Sequence, residues 1–217
     1  MAPMRLERLV LLALLLAGRA GALAADGPPT GREDFLKAVQ SLRAGRFSSA
    51  RRGLERALAA DPSSVEARFY LGQCLYHLGR LDDAKLQLEQ AARSEPAMPV
   101  THYYLGRLAY DRRDLGGAFQ ELRLANSLDP GLPMVHYYLG LVYQAHAQPD
   151  AAVLEFERAL QLQPDLARAA YDLAWIDFHS LGQRQAARTA LQRAAAGKPG
   201  PVLAKKIRAL KRALGNG

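Results

Sequence analysis

Two histidines, His102 and His136, stand thirty-four residues apart, and a fixed spacing of imidazoles is the first feature that suggests chemistry, here metal ligation. A zinc site needs three or four converging ligands. No second ligand pair accompanies these two, and a shared slot in a repeating unit accounts for the spacing, so structural filling is the preferred reading over a metal. His77 and His179 have the side chain of a general base, but no serine or cysteine nucleophile stands beside either in a recognisable motif. Gly116-Gly117 lacks the preceding strand and following lysine of a phosphate loop and reads as a turn between helices. Asp82-Asp83 reads as an acidic start to a helix, where carboxylates oppose the positive end of the backbone dipole. No catalytic residue, metal or cofactor is expected.

The elements that would position these side chains follow from composition and period. The chain has 217 residues, 49% hydrophobic and 23% charged, which is a globular composition with enough length to bury a core unaided. The lone Cys74 excludes an intramolecular disulfide and any cysteine-cluster metal site. It lies in an apolar helical stretch, so a buried, inert thiol is preferred to pairing between chains. Arg5 and Arg8 precede an apolar run from Leu9 to Gly18, and Ala22-Leu23-Ala24 suits cleavage, which together describe a secretory signal over residues 1–24 with a short linker at 25–30. The run falls well short of the roughly 20 residues that span a bilayer, and Arg19 blocks its extension. Removal of the leader is the preferred reading, with an uncleaved anchor as the alternative. The mature chain is then expected to be exported without a transmembrane segment. The periplasm is the preferred compartment, and secretion or a secretory-pathway lumen is the alternative.

Pro62, Pro96, Pro130 and Pro164 recur every 34 residues, as do Leu71, Leu105, Leu139 and Leu173. Each leucine precedes a small residue, Gly72, Gly106, Gly140 or Ala174, and twelve residues later come Ala84, Ala118, Ala152 and Ala186. A weaker first copy contains Ala38, Ala50, Leu54 and Ala57. Prolines at 99, 133 and 201 fit the first turn of helices, and Gly45, Gly79 and Gly182 fit helix ends. Essentially no segment alternates like a strand. The expectation is all-helical, with five units at 31–64, 65–98, 99–132, 133–166 and 167–200. A last amphipathic helix would follow Pro201, its stripe of Leu203, Ile207, Leu210 and Leu214 closing the array over residues 201–217.

This period and these residue types resemble the tetratricopeptide repeat. The resemblance implies a right-handed α-solenoid of helical hairpins in which a small eighth residue and an alanine at the twentieth let paired helices approach. The twenty-fourth residue, Leu54, Leu88, Leu122 or Phe156, would pack between them, with Ala57, Ala91, Ala125 and Ala159 at the twenty-seventh. Units one and five depart from the pattern, with Lys37 for leucine in the first. In the fifth, Ala174 replaces glycine, Ala190 a large apolar residue and Lys198 proline.

The resemblance also implies that the first helix of each unit lines a concave groove. Groove positions would then include the fifth-position aromatics Phe35, Phe69, Tyr103, Tyr137 and Tyr171, for which core packing is an equal reading. Around them stand Gln73, Arg107, Leu141 and Trp175 at the ninth position and Tyr76, Tyr110 and Phe178 at the twelfth, with His77 beside them. Aromatic anchors plus an arginine suit an extended peptide or partner helix. The lysines and asparagines with which some family members clamp chaperone tails are missing. The net charge of +8 concentrates in the closing helix, where Lys205, Lys206, Arg208, Lys211 and Arg212 stand without an acid. A solvated face is the preferred reading there, and contact with an anionic partner or membrane surface the other. Nucleic acid is not expected. The functional expectation is an exported protein-interaction scaffold for envelope or secretory assembly, with an accessory subunit of an exported enzyme, or a module docking through its basic helix, as alternatives.

Overall fold

The computed structural model describes residues 31–215, and both the signal segment and the linker lie outside them. The described residues form eleven α-helices and no strand. Five antiparallel pairs come first: α1 (Gly31–Arg43) with α2 (Phe47–Ala60), α3 (Val65–His77) with α4 (Leu81–Ser94), and α5 (Pro99–Asp111) with α6 (Leu115–Leu128). Then follow α7 (Pro133–Ala145) with α8 (Pro149–Leu162), α9 (Ala167–His179) with α10 (Arg184–Ala196), and the closing α11 (Pro201–Ala213). Each first helix packs on its own partner, and each second helix packs on the first helix of the next pair, so the pairs stack into a solenoid. The first helices also touch one another from α1 to α3, α3 to α5 and α5 to α7, and this contact thins between α7 and α9.

Close packing within a pair depends on matched small and large side chains. A β-carbon built on Gly72 or Gly106 would lie 2.7 Å from the Cγ of Leu88 or Leu122, and on Gly140 it would lie 2.6 Å from the Phe156 ring. Leu88, Leu122 and Phe156 are fully buried, so there is no slack to absorb a methyl group. The terminal units solve the same problem differently. In the first, Ala38 faces Gly53, where an added β-carbon would meet the Ala38 methyl at 2.8 Å. In the fifth, the turn is one residue longer than the sequence register assumes, so Ala187, Leu191 and Ala194 are buried where Ala152, Phe156 and Ala159 stand in the fourth, Ala186 is only half-buried, and Ala174 takes the place of the glycine.

A polar clasp recurs at the fourth position of the first four units and ties each first helix to its partner. Arg56 Nε donates to Asp34 Oδ1 at 2.8 Å, and Arg68 donates to Gln90 Oε1 at 2.5 Å. His102 and His136 hold this slot in the third and fourth units, with Nδ1 2.7 Å from Glu121 and Glu155 respectively. Their Nε2 atoms reach back to the carbonyls of Pro96 and Pro130 at 2.9 and 3.1 Å, and Arg68 makes the equivalent bond to Pro62. Pro62, Pro96 and Pro130 therefore supply carbonyl acceptors that lock the first three turns between units onto the following helix. Ala170 is buried in the slot of the fifth unit.

The turns inside the pairs require one left-handed residue. Gly45, Gly79 and Gly182 supply it with φ of 71°, 75° and 67°, at no steric cost. Arg113 and Ala147 take the same conformation at φ 64° and 55°, where a β-carbon is strained. In the fifth unit the turn is one residue longer, and α10 starts at Arg184. Gly117 N–H donates to the Asp114 carboxylate at 2.9 Å, so the Gly116-Gly117 pair opens α6 as a capped helix start. Asp82 and Asp83 open α4, paired with Arg112 and Arg80. Cys74 is fully buried and its thiol donates to the Phe47 carbonyl at 2.9 Å. Burial pushes that thiol up from its ordinary pKa, which makes thiolate chemistry unfavourable.

Candidate functional site

The groove residues of α3, α5 and α7 converge on Arg107. Its guanidinium carbon lies 4.4 Å from the centre of the Tyr76 ring and 5.6 Å from that of Tyr138, a cation held between two π faces. Arg107 Nη1 also donates to the Tyr103 hydroxyl at 3.4 Å. The Tyr76 hydroxyl donates to Asp111, and the Gln73 amide donates to the Tyr104 hydroxyl. Burial, and after it the hydrogen bond to Asp111, push the Tyr76 phenol up to about 12 against the opposing Arg107 charge. Burial likewise pushes Tyr138 up to about 12. Both phenols therefore stay protonated near neutrality, and the cluster keeps its single positive charge on Arg107.

Two polar atoms in this cluster are buried without a hydrogen-bond partner, the Arg107 Nε donor and the Gln73 Oε1 acceptor. Buried polar atoms without partners are costly, and Gln87 Oε1 and Asn126 Oδ1 are in the same state.

Toward the C-terminal end, Trp175 is 36% exposed and stacks on His179 with ring centres 4.6 Å apart. It borders a cavity of about 470 Å³ lined also by Gln144, Ala147, Pro149, Ile176 and Ser180. The cavity lies where α7 and α9 barely meet. At the first junction the corresponding helix start carries Phe47, which stacks on His77 at 4.6 Å and fills the gap. Proline at 149 is too small to do the same. His77 is thus a packing partner of Phe47, and burial together with the Arg107 charge holds it below the usual imidazole pKa.

The fifth-position aromatics need a correction. Phe69, Tyr103 and Tyr137 are 8%, 9% and 6% exposed, and so form the floor of the groove instead of its contact surface. A first helix sunk between two neighbours buries that face. Tyr171, Leu141, Tyr110 and Phe178 are half-buried on the walls. Arg184 lies 5.5 Å over the Phe178 ring. The residues the sequence reading overlooked are the sixth-position tyrosines Tyr70, Tyr104 and Tyr138, which join the floor aromatics into an edge-to-face ladder with spacings of 5.0 to 5.9 Å. Asp172 was also overlooked. It occupies the sixth position of the last unit and accepts from the Tyr137 hydroxyl at 3.0 Å.

Burial pushes Asp172 up to about 6, opposed by that hydroxyl and by the charges of Lys206 and Arg168. Burial, with repulsion from Glu157, does the same to Asp177, which is 4% exposed. A carboxyl raised in this way favours the fold fully below its unfolded pKa near 4, and that contribution disappears as the pH rises through about 6. Asp177→Asn is therefore expected to raise stability by roughly 1–2 kcal/mol at about pH 7.5 and to change little at about pH 4, as read by thermal unfolding at the two values.

The five basic residues of α11 are all exposed, while Ile207, Leu210 and Leu214 bury the opposite face at 6%, 5% and 1% exposure. Among the described residues no group of three or more His, Cys, Asp or Glu is placed to hold a metal ion, and no helix is long and apolar enough to cross a membrane.

Stacked hairpins with an aromatic-lined inner face define a helical-repeat solenoid. Profiles described as tetratricopeptide repeat match residues 36–99, 80–133 and 133–166, which is more than half of the sequence. The chain belongs to the tetratricopeptide repeat family. Similar solved structures include PilF of Pseudomonas aeruginosa, 23% identical with a TM-score of 0.72 over 86% of this chain and 89% of that one. A thermophilic tetratricopeptide repeat protein of Thermus thermophilus, TTC0263, is 22% identical with a TM-score of 0.69, covering 83% and 98%. YrrB, described as having an unusual peptide-binding site, is 18% identical with a TM-score of 0.60, covering 91% and 97%. At these identities the likeness concerns the fold. No curated protein sequence matches the chain.

Proposed function

We propose that this chain is an exported, non-catalytic scaffold that takes an extended peptide or a partner helix in its groove during cell-envelope or secretory assembly. The observation that carries the reading is an inner face on which Arg107 is held between the Tyr76 and Tyr138 rings and Trp175 stays 36% exposed. Rigid rings and an arginine suit an extended peptide or a partner helix. The cavity beside Trp175 offers an apolar seat for an anchoring side chain further along the groove. The fold shared with YrrB, a protein with a peptide-binding site, is in keeping with this use. Export rests on Arg5, Arg8 and the apolar run that follows them, and the periplasm is the compartment we favour.

The test is recovery of a partner by the processed chain from its native compartment. Arg107→Glu places a carboxylate between two tyrosines and near Asp111, and is expected to lower recovery at least about tenfold. Trp175→Ala should reduce it by a similar factor. Undiminished recovery with both variants would move the interface away from this groove.

A further inference from the structure

The positive charge is not confined to the closing helix. After Asp177 the chain holds nine lysines and arginines and not one acidic side chain, whereas the preceding residues hold twenty against twenty-one. The whole net charge of +8 is thus carried by the last forty residues. Arg184, Arg188 and Arg193 on α10 join the five cations of α11, and among the described residues none of them lies within 4.0 Å of a carboxylate. Earlier in the described residues six lysines and arginines pair with carboxylates, among them Arg51 with Glu55, Arg80 with Asp83 and Arg112 with Asp82.

The arrangement is fixed by the fold. Because α11 buries Ile207, Leu210 and Leu214, Lys205, Arg208 and Arg212 at three- and four-residue steps point directly outward. They form a ridge roughly 10 Å long. No aromatic residue follows Phe178, so this end lacks the rigid anchors that mark protein interfaces, where lysine is depleted, and the stacking platforms that hold single-stranded nucleic acid. It does present one large apolar side chain, Val202, at 74% exposure on the flank of the ridge.

We infer that this end of the solenoid docks on an anionic phospholipid surface, the cations meeting headgroup phosphates and Val202 entering the headgroup boundary. The contact leaves the groove open and independent. A polybasic ridge draws its affinity from diffuse attraction to a charged surface, which the exposed Lys205, Arg208 and Arg212 without carboxylate partners suit.

Co-sedimentation of the full chain with vesicles tests this. Vesicles of about one-third phosphatidylglycerol in phosphatidylcholine should bind at least about tenfold more strongly than pure phosphatidylcholine at about 0.1 M salt, and the difference should vanish near about 1 M. Arg5, Arg8 and Arg19 beside the leader's apolar run also favour an anionic surface, so the ridge is reported by the part of the difference that the ridge variant loses. The triple variant Lys205→Glu, Arg208→Glu, Arg212→Glu alters only exposed side chains and should lose most of the difference. Its circular dichroism and melting should match the parent. The control Arg43→Glu, Arg46→Glu, Arg52→Glu at the other end should keep the preference. Equal binding to both vesicles, an unaffected ridge variant, an equal loss in the control, or tighter binding to duplex DNA or polyglutamate than to anionic vesicles would each overturn the inference.

Discussion

Phe156→Ala is expected to lower the stability of the array by about 3–5 kcal/mol, among the largest effects of any single truncation in the chain. The ring is fully buried, lies between the two helices of the fourth unit and contacts Tyr137 with ring centres 5.8 Å apart. Removing it takes away the transfer free energy of an aromatic side chain and leaves a cavity that the rigid hairpin cannot close. The loss should also spread. The fourth unit buries its second helix against α9, so the fifth unit and the closing helix depend on it, and in stacked repeats stability is a sum of unit and neighbour terms. Chemical denaturation followed by circular dichroism should show the midpoint fall, with a separate early transition for the C-terminal units.

Gly140→Ala is expected to destabilise by about 2–3 kcal/mol, opposite in sign to the usual effect of this exchange in a helix. On an exposed helix face, alanine in place of glycine gains about 1 kcal/mol from propensity. Here the new methyl carbon would lie 2.6 Å from the Phe156 ring, so the two helices must part. Combining it with Phe156→Ala removes the ring that the new methyl group meets, and the double variant should lose less than the two single losses added together. A strictly additive cycle, measured by the same denaturation, would mean that the two positions do not share one packing space.

The solenoid was legible because packing repeats. The glycine, alanine and leucine positions of units two to four meet the same constraint in every copy, and their period appears wherever the constraint does. The terminal units were harder to read because Ala38 is matched to Gly53 by compensation across the first helix pair, and because a longer turn in the fifth shifts α10 by one residue, so that Leu191 stands where Phe156 does. The fourth-position clasp stayed hidden for a related reason. Asp34, Arg68, His102 and His136 share a role but not a residue type, so the two histidines alone looked like a pattern.

In the groove, residue identity was easier to read than depth. The doublets Phe69-Tyr70, Tyr103-Tyr104 and Tyr137-Tyr138 were in plain view, but how deeply each member sinks depends on the neighbouring helices: the first member of each is buried, and in the third doublet Tyr138 is buried as well. The orphaned atoms of Arg107 and Gln73, and the cavity beside Trp175, are set by spacings between units that no single repeat encodes. The breadth of the basic end lies in plain view in the sequence as one acid-free run after Asp177, but dividing the chain at the repeat boundary before Pro201 split it between the fifth unit and the closing helix.

Photo-crosslinking with the partner present in its native compartment examines the docking face most directly. A photoreactive residue in place of Trp175 or Tyr76 should form a covalent adduct with the partner. The same residue in place of Leu154, which is 67% exposed on α8, should form none. An adduct from position 154 with none from 175 or 76 would place the partner on the outer helices and contradict the groove as the binding surface.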